Sequence, residues 1–374
     1  MYIHRMKSKI LISCLLLILI PGMDIQGKSN WKKLPANHEG ISYIGRTHTD
    51  AQGTVSYDWV GTYFQTDFTG GYFAVQISDT KCDYLNLFID GKWIKKIKMD
   101  SHEPTTLVLA ENMDKHTHRL RLQKCTEARC GKISIHQVIL PQEGTLKAVP
   151  HKERFIEIYG DSYTCGFGTE SNNPKDPFSA ATENCNQAYG CIIARYFDAD
   201  YALVAHSGQG MSRNYGDSVQ VSKINQFVRS TRVFDEADNE LQYDFKAYTP
   251  SLVLINLGTN DMSKGNIPSV ENYVGNYLRM IRMIRRHYDG VPILCVTPHS
   301  ANDQLLMRLD VLRKCITEFK DVYVSEPMPN VVTVKSDMGA CYHPNYQGQK
   351  KIAMTLIPKI SAIMGWQLTD KVVE

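Results

Sequence analysis

The sequence predicts two domains of different class: an all-β sandwich, followed by an α/β domain whose parallel sheet lies between two helix layers. Residues from about 40 to 140 alternate polar and apolar side chains between turn residues, without a long segment of helical period. From residue 151 onward, short apolar runs alternate with segments that repeat at helical spacing. This alternation predicts a parallel sheet with helices on both faces, which is a three-layer α/β/α sandwich.

The first 27 residues have the pattern of a secretory signal peptide. Basic residues come first, an apolar run from Ile10 to Ile20 follows, and Pro21 and Gly22 end it. The run is short for a membrane span, and no later stretch predicts one. The sequence therefore predicts a secreted or periplasmic protein. Cys14 lies in a partial lipoprotein box but comes too early in the apolar run, so lipidation is the less favoured alternative.

The sandwich domain is assigned to residues 28–145, and a linker near 141–150 follows it. Its predicted strands are 55–59, 72–77, 85–89, 93–99, 106–109, 119–123 and 133–139. Between two of these strands, Asp90 and Gly91 form a strong signal for a hairpin turn. The α/β domain is assigned to residues 151–374. Its predicted strands are 155–159, 201–205, 251–256, 291–296 and 321–324, and its clearest helices are 270–284 and 305–319.

Four polar motifs lie directly after a predicted strand or directly before a predicted helix. They are Gly160-Asp161-Ser162, Ala205-His206-Ser207-Gly208-Gln209-Gly210, Gly258-Thr259-Asn260-Asp261 and His343-Pro344. In open parallel sheets, ligands bind outside the carboxyl ends of the strands. The four motifs are therefore expected to meet in one site.

The set of four motifs resembles the SGNH, or GDSL-type, esterases and lipases. The front half resembles the jelly-roll domain of carbohydrate esterase family 2, through Tyr57-Asp58-Trp59-Val60-Gly61-Thr62, Phe88-Ile89-Asp90-Gly91, His118-Arg119-Leu120-Arg121-Leu122 and Thr126-Glu127-Ala128. That family joins a jelly roll to an SGNH hydrolase domain and deacetylates sugars in plant polysaccharides. The resemblance covers nearly all of the chain after the leader and implies the same fold and activity here.

Ser162 and His343 are the predicted catalytic residues. Ser162 lies at a glycine-flanked turn from strand to helix, and the imidazole of His343 can take its proton and later protonate a leaving sugar alkoxide. The resemblance implies three oxyanion donors: the backbone N–H groups of Ser162 and Gly210 and the side-chain amide of Asn260. The residues alone leave Gly208 and Gly210 both open, and the family's spacing favours Gly210.

The chain departs from the family pattern at the acid of the catalytic triad. SGNH enzymes commonly carry Asp three residues before the histidine, and family 2 relatives often carry an acid two residues before it. Those positions are Ala340 and Cys341 here. We therefore expect a Ser–His dyad in which a backbone carbonyl orients His343. The alternative is that Asp337, six residues upstream, folds back to orient the imidazole.

Aromatic side chains are the expected contacts for a sugar substrate. Tyr342 occupies a position where family 2 relatives carry an aromatic residue, and Tyr163, Trp59 and Tyr215 are further candidates. No phosphate loop, zinc-type cysteine spacing or dinucleotide fingerprint occurs, so no cofactor and no metal are expected. The net charge of +3 without a long Lys/Arg block argues against nucleic-acid binding.

Nine of the ten cysteines follow the leader, so they cannot all form intramolecular pairs. Cys125 and Cys130 flank a turn and form the favoured bridge. Most of the others are expected to be small buried hydrophobic residues. Cys185 and Cys191 are expected to share a helix and to point to different faces of it.

The sequence thus predicts an exported carboxylic ester hydrolase. The expected substrate is an acetylated plant cell-wall polysaccharide or oligosaccharide of the xylan or glucomannan type. The alternative of the same class is another SGNH esterase or lipase. The alternative of a different class is a carbohydrate-binding protein whose hydrolase domain has lost activity, which the missing acid would favour. The oligomeric state is not predicted.

Overall fold

The two predicted domains are both present in the computed structural model, which describes residues 30–238 and 240–373. The predicted signal peptide at 1–27 lies outside these residues. Residues from Trp31 to Ala148 form antiparallel sheets, and residues from Arg154 onward form a parallel sheet with helices. The predicted fold class, a jelly-roll-type sandwich before an SGNH-type α/β/α domain, is confirmed.

Twelve strands form the sandwich. They are β1 (Trp31–Pro35), β2 (Ser42–Ile44), β3 (His48–Thr49), β4 (Val55–Tyr57), β5 (Tyr63–Phe68), β6 (Phe73–Asp79), β7 (Tyr84–Ile89), β8 (Lys92–Lys98), β9 (Thr105–Ala110), β10 (His118–Lys124), β11 (Ile133–Pro141) and β12 (Leu146–Ala148). One sheet has the order β3-β4-β11-β6-β9 with β1 on β11, and the other has the order β12-β5-β10-β7-β8 with β2 on β5. Apolar side chains of both sheets, including Phe64, Val75 and Leu120, share one buried core.

All seven predicted strands of the sandwich are present, and the hairpin between β7 and β8 is built as expected. Asp90 and Gly91 have φ of 50° and 77°, the two positive values that a two-residue hairpin turn of this kind requires. Five strands were not predicted. Among them, β5 is buried along nearly all its length and shows no alternation, whereas β12 pairs with β5 beyond the expected domain boundary at 145.

The second domain contains the five predicted parallel strands. They are β13 (Arg154–Gly160), β14 (Ala199–Ala205), β15 (Leu252–Asn256), β16 (Ile293–Cys295) and β17 (Val322–Val324). Their order in the sheet is β14-β13-β15-β16-β17. Because β14 and β15 lie on opposite sides of β13, the chain reverses direction across the sheet at β13. A crevice at the carboxyl ends of these strands is the expected ligand site of such a sheet.

Helices cover both faces of this sheet. They are α1 (Ser162–Cys165), α2 (Tyr189–Tyr196), α3 (Gln226–Arg229), α4 (Val270–His287), α5 (Asp303–Cys315), α6 (Val334–Asp337) and α7 (Tyr346–Met364). The amphipathic helices predicted near 270–284 and 305–319 are α4 and α5, which begin at the side-chain caps Ser269 and Asn302. Helices α2 and α7 pack on one face of the sheet, and α4 and α5 pack on the other. Among the described residues, no helix is long and apolar enough to cross a membrane.

Buried polar contacts join the two domains. The guanidinium of Arg46 in the sandwich lies 3.0 Å from the carboxylate of Glu157 on β13, and both side chains are buried. The carboxylate of Asp58 accepts hydrogen bonds from the backbone N–H groups of residues 235–237 at 2.7–3.0 Å. A buried charge without a partner is strongly destabilising. These contacts therefore fix the sandwich against the α/β domain in one arrangement.

The cysteines differ from two expectations. All nine cysteines of the described residues are free thiols, including the expected pair Cys125 and Cys130. Cys185 and Cys191 do not share a helix, because the extended Ala188 separates the turn Cys185–Gln187 from α2.

Candidate active site

Ser162 lies where β13 turns into α1. Asp161 caps this one-turn helix by accepting the backbone N–H of Tyr163 at 3.1 Å. A side chain at Gly160 would come within 2.0 Å of the Thr164 hydroxyl, so the turn has no room for one. The tight turn presents the Ser162 hydroxyl, and the first N–H groups of the helix, at the carboxyl edge of the sheet.

His343 reaches Ser162 from the other end of the chain. It belongs to a short antiparallel pair, β18 (Met338–Gly339) and β19 (His343–Pro344), directly before α7. Its Nε2 lies 2.8 Å from Ser162 Oγ, and its Nδ1 lies 3.0 Å from the backbone oxygen of Cys341. A carbonyl oxygen only accepts, so Nδ1 carries the proton and Nε2 is the acceptor for the serine hydroxyl. The imidazole is therefore in the tautomer that a general base requires.

The loop before His343 explains how a carbonyl takes the place of an acid. Cys341 and Tyr342 have φ of 51° and 58°, and this left-handed turn directs the Cys341 carbonyl back to the imidazole. The alternative based on Asp337 does not hold. Its carboxylate binds Thr333, Ser336 and Lys351, and none of its hydrogen bonds among the described residues goes to His343.

The imidazole of His343 is held between aromatic rings. The ring of Phe167 stacks on it at a centroid distance of 4.1 Å, and Tyr163 meets it edge-on at 5.5 Å. Burial in this setting lowers the pKa of His343 below its ordinary value of 6.5. The imidazole is therefore neutral at neutral pH and ready to accept a proton.

The expected preference for Gly210 over Gly208 as oxyanion donor is reversed by the geometry. Gly210 does not line the cavity at Ser162, and its N–H donates to the Asn214 side chain at 3.3 Å. Gly208 lines the cavity, and no acceptor for its N–H occurs in the part of the chain that the structure describes. Gly210 is glycine for packing, because a Cβ there would lie 1.9 Å from the Arg213 carbonyl.

Asn260, the expected third donor, also lines the cavity. Its amide nitrogen donates to the backbone oxygen of Gln209 at 2.8 Å and to Asp161 at 3.2 Å. The first bond ties Asn260 to the loop that contains Gly208, and the second ties it to the turn that contains Ser162. Burial raises the pKa of Asp161 to about 7.

The next residue, Asp261, shapes the Gly208 loop. Its carboxylate accepts the backbone N–H groups of residues 211–213 at 2.6–2.9 Å. Burial raises the pKa of this carboxyl to about 6 in spite of these three bonds. The Gly-Thr-Asn-Asp motif therefore supplies both a cavity-lining amide and the residue that folds the neighbouring loop.

Ser162 and His343 line a cavity of about 640 Å³ at this edge of the sheet. Of the predicted sugar contacts, Tyr163, Tyr215 and Tyr342 line it, and the last two are 71% and 55% exposed at its rim. Trp59 was predicted wrongly, since it is 1% exposed and packs in the core beside β15 and α4. In a sequence, an aromatic residue that packs at a domain interface cannot be distinguished from one that binds a sugar.

Several cavity residues were not identified from the sequence. Arg129 comes from the sandwich domain, Phe167 follows α1, and Met262, Ser300 and Leu305 come from loops and helices after β15 and β16. None of them belongs to a motif with its own chemistry, so the sequence held no local signal for them. The arrangement has a hydroxyl bonded to a neutral imidazole and N–H donors beside it, which suits nucleophilic acyl transfer.

Comparisons with known proteins agree with this arrangement. The profile of the GDSL-like lipase/acylhydrolase family matches residues 158–351, and that of the carbohydrate esterase 2 N-terminal domain matches residues 43–150. The chain is 25% identical over 373 residues to an acetylxylan esterase / glucomannan deacetylase of Cellvibrio japonicus, covering 96% of this chain and 99% of that protein.

Two further relatives extend the comparison. The chain is 27% identical over 341 residues to the cellulase/esterase CelE of Acetivibrio thermocellus, covering 88% of this chain and 40% of that protein's length. A family two carbohydrate esterase from Clostridium thermocellum, solved in complex with cellohexaose, superposes with a TM-score of 0.80 at 26% identity, covering 87% of this chain and 100% of that one. The chain therefore belongs to the GDSL-like lipase/acylhydrolase family, and residues 43–150 form its carbohydrate esterase 2 N-terminal domain.

Proposed function

We propose that this protein is an exported esterase that removes O-acetyl groups from plant cell-wall polysaccharides or oligosaccharides of the xylan or glucomannan type. The observation that carries the proposal is the 2.8 Å hydrogen bond between Ser162 Oγ and His343 Nε2 at the base of an open cavity. The relatives named acetylxylan esterase / glucomannan deacetylase support the substrate class. Export rests on the leader-like pattern of residues 1–27.

In the first half of the reaction, Ser162 takes the acetyl group. Its Oγ attacks the acetyl carbonyl carbon while His343 Nε2 takes the hydroxyl proton. The oxyanion that forms is stabilised by the N–H groups of Ser162 and Gly208, and by the Asn260 amide once it releases its 3.2 Å hydrogen bond to Asp161. His343 then gives the proton to the sugar oxygen as the C–O bond breaks, which leaves an acetyl-serine and a free sugar hydroxyl.

In the second half, water releases the acetyl group. His343, now neutral again, takes a proton from a water molecule that attacks the acetyl-serine carbonyl. The same donors stabilise the second oxyanion. When it collapses, the proton returns to Ser162 Oγ and acetate leaves. In both halves, the Cys341 carbonyl oxygen accepts the Nδ1–H of His343 and stabilises the imidazolium. Its partial negative charge takes the place of the full charge of the carboxylate in a catalytic triad.

The rim of the cavity suits a sugar chain. Tyr215 and Tyr342 both line the cavity and are largely exposed, and faces of aromatic rings pack well against the C–H faces of sugars. Tyr163 lines the inner wall, where its hydroxyl lies 3.1 Å from that of Ser300. We assign Tyr215 and Tyr342 to the glycan and Tyr163 to the acyl end of the substrate.

The test is acetate release from acetylated xylan, acetylated glucomannan and acetylated pectin, with NMR to locate the acetyl groups that are removed. We expect release from at least one of the first two. p-Nitrophenyl acetate against long-chain p-nitrophenyl esters separates an acetyl esterase from a lipase of the same family. Glycan binding without acetate release from any substrate would favour the non-catalytic alternative.

The pH profile should reflect the low pKa of His343. Burial lowers that pKa below 6.5, and only the neutral imidazole can take the serine proton. We therefore expect kcat/KM for p-nitrophenyl acetate to stay on its plateau as pH falls through 6.5, and to decline with a midpoint below that value. A midpoint clearly above 6.5 would contradict the arrangement of His343.

Asp337→Ala should keep most of the activity. Burial alone would raise the pKa of Asp337, but hydrogen bonds from Lys351, Thr333 and Ser336 lower it to about 2, so this carboxylate anchors α6 and α7. We expect kcat/KM within about 10-fold of the wild type, together with a lower melting temperature. A loss of about 10³-fold or more in a folded variant would restore a Ser–His–Asp triad.

A further inference from the structure

A turn of the sandwich domain enters the candidate active site. It follows β10 at residues 126–129 and contains the motif Thr126-Glu127-Ala128, one of those that carry the family resemblance. The ammonium of Lys124, fully buried, binds the carboxylate of Asp83 and the backbone oxygens of residues 126 and 127. The Thr126 hydroxyl also donates to Asp83 at 2.6 Å. The turn is therefore held rigidly by the sandwich.

Glu127 connects this turn to the loop that contains Gly208, the proposed oxyanion donor. Its Oε2 accepts the backbone N–H of Ser207 at 2.7 Å, and Ser207 directly precedes Gly208. The Cys165 thiol at the end of α1 also lies 3.9 Å from Oε2. The carboxylate of Glu127 is fully buried, so its position is fixed by these partners and not by solvent. One side chain from the first domain thus contacts both segments that supply backbone donors in the second.

Arg129 connects the same turn to the surroundings of the His343 imidazole. Its Nε lies 2.7 Å from Glu127 Oε1, so the two side chains form an ion pair. The guanidinium lies 3.8 Å from the centroid of the Phe178 ring and 5.4 Å from that of Phe167. Phe167 is the ring that stacks on His343, and Arg129 itself lines the cavity. The ion pair of Glu127 and Arg129 therefore lies between the Gly208 loop and His343, the proposed general base.

We propose that Glu127 and Arg129 are positioning residues of the active site, so that the sandwich domain completes the esterase centre of the other domain. Glu127 fixes the peptide that orients the Gly208 N–H, and Arg129 supports the Phe167 ring behind His343. The inference rests on the esterase function proposed above. Its physical basis is that donors aimed at a transition state act fully only when they are held in place beforehand.

A second buried carboxyl group provides a matched control. Glu183 is fully buried beside Glu127. One carboxylate oxygen of each glutamate and the sulfur of Cys165 lie within 4.8 Å of one another. Burial, and after it the neighbouring Glu127, raise the pKa of Glu183 well above its ordinary value. Its hydrogen bonds, from the Glu127 N–H and the Cys130 thiol, do not include Ser207.

The test compares Glu127→Ala, Glu127→Gln and Glu183→Gln in the full chain, with p-nitrophenyl acetate as substrate and thermal melting to establish folding. We expect Glu127→Ala to lower kcat by about 10²-fold with little change in KM, since a misplaced donor affects the transition state most. Glu127→Gln keeps an oxygen acceptor for Ser207 and should stay within about 10-fold of the wild-type kcat. Glu183→Gln should have a near-native kcat.

The pH profile gives a second readout, which also serves if Glu127→Ala does not fold. His343 faces Glu127 and Arg129 from the turn, His299 and Tyr163 from loops of the α/β domain, and Cys341 from its own loop. The negative charge of Glu127 raises the pKa of His343, and the positive charge of Arg129 lowers it. Glu127→Gln should therefore move the acid limb of kcat/KM to lower pH, and Arg129→Gln should move it to higher pH.

Three results would overturn the inference. They are a native kcat in folded Glu127→Ala, an equal loss of kcat in Glu183→Gln, and an acid limb that does not move in either charge-removing variant. Each leaves the proposed function intact as long as the wild type hydrolyses the ester. A wild-type protein that hydrolyses no ester would overturn the proposed function and this inference together.

Discussion

Ser162→Ala should abolish acetate release, with kcat/KM lowered by about 10⁴-fold or more. Among the residues that the structure describes, the Ser162 hydroxyl is the only hydrogen-bond partner of His343 Nε2, and without it no acetyl-enzyme can form. The measurement is acetate release from the best acetylated glycan of the panel, together with hydrolysis of p-nitrophenyl acetate. The residual rate should be what the oxyanion donors provide by themselves.

Glycan binding should survive the same change. Replacing serine with alanine removes one oxygen atom, leaves the cap of α1 at Asp161 in place, and does not touch the tyrosines at the rim. Ser300→Ala is the matched control, because that hydroxyl also lines the cavity and bonds to Tyr163 and not to an imidazole. We expect the control to stay within about 10-fold of the wild type. Esterase activity near the wild-type level in Ser162→Ala would exclude Ser162 as the nucleophile.

The fold could be predicted because its signals are local. Each parallel strand is a short apolar run, and the motifs at Ser162, Gly208 and Asn260 directly follow three such runs. Parallel strands end at one edge of the sheet, so the approximate location of the site follows from the strands alone. The pairing of Ser162 with His343 spans 181 positions, and the sequence suggested it only through the placement of the two motifs beside predicted strands and helices and through their resemblance to a family.

The choice between Gly208 and Gly210 could not be made from the sequence. Both are glycines in one loop, and what separates them is backbone direction. Gly208 has φ of 81° and space beside its Cα, whereas Gly210 packs against the Arg213 carbonyl. That packing is imposed by Asp261, which is 48 to 50 positions away and binds three N–H groups of the loop. Long-range folding of a loop leaves no periodic pattern to detect.

The contribution of the first domain was hidden for a similar reason. In the sequence, Glu127 and Arg129 resemble ordinary charged residues of a turn, and Trp59 resembles an aromatic residue that stacks on a sugar. In the folded chain, Arg129 lines the active-site cavity, Glu127 is fully buried beside it, and Trp59 lies in the core. Burial of a charge between domains depends on partners such as the Ser207 N–H, which composition and spacing do not report.

His343→Ala should lower kcat/KM nearly as much as Ser162→Ala, by about 10⁴-fold or more. The imidazole acts on the same proton in every step, first as the base for Ser162 and then as the acid for the sugar oxygen. The neighbouring His299 is the matched control. Burial lowers its pKa to about 4, so it is neutral, and it lies beside Tyr163 without bonding to the serine. His299→Ala should keep activity within about 10-fold of the wild type.

The double variant is the sharper test of the dyad. If Ser162 and His343 work as one unit, removing His343 from Ser162→Ala should cause almost no further loss, because the unit is already disabled. Two independent contributions would instead multiply and lower kcat/KM by about 10⁸-fold in total, below any measurable rate. A residual activity in the double variant equal to that of each single variant is the expected result. A loss in His343→Ala of less than about 10²-fold would mean that another group takes the serine proton.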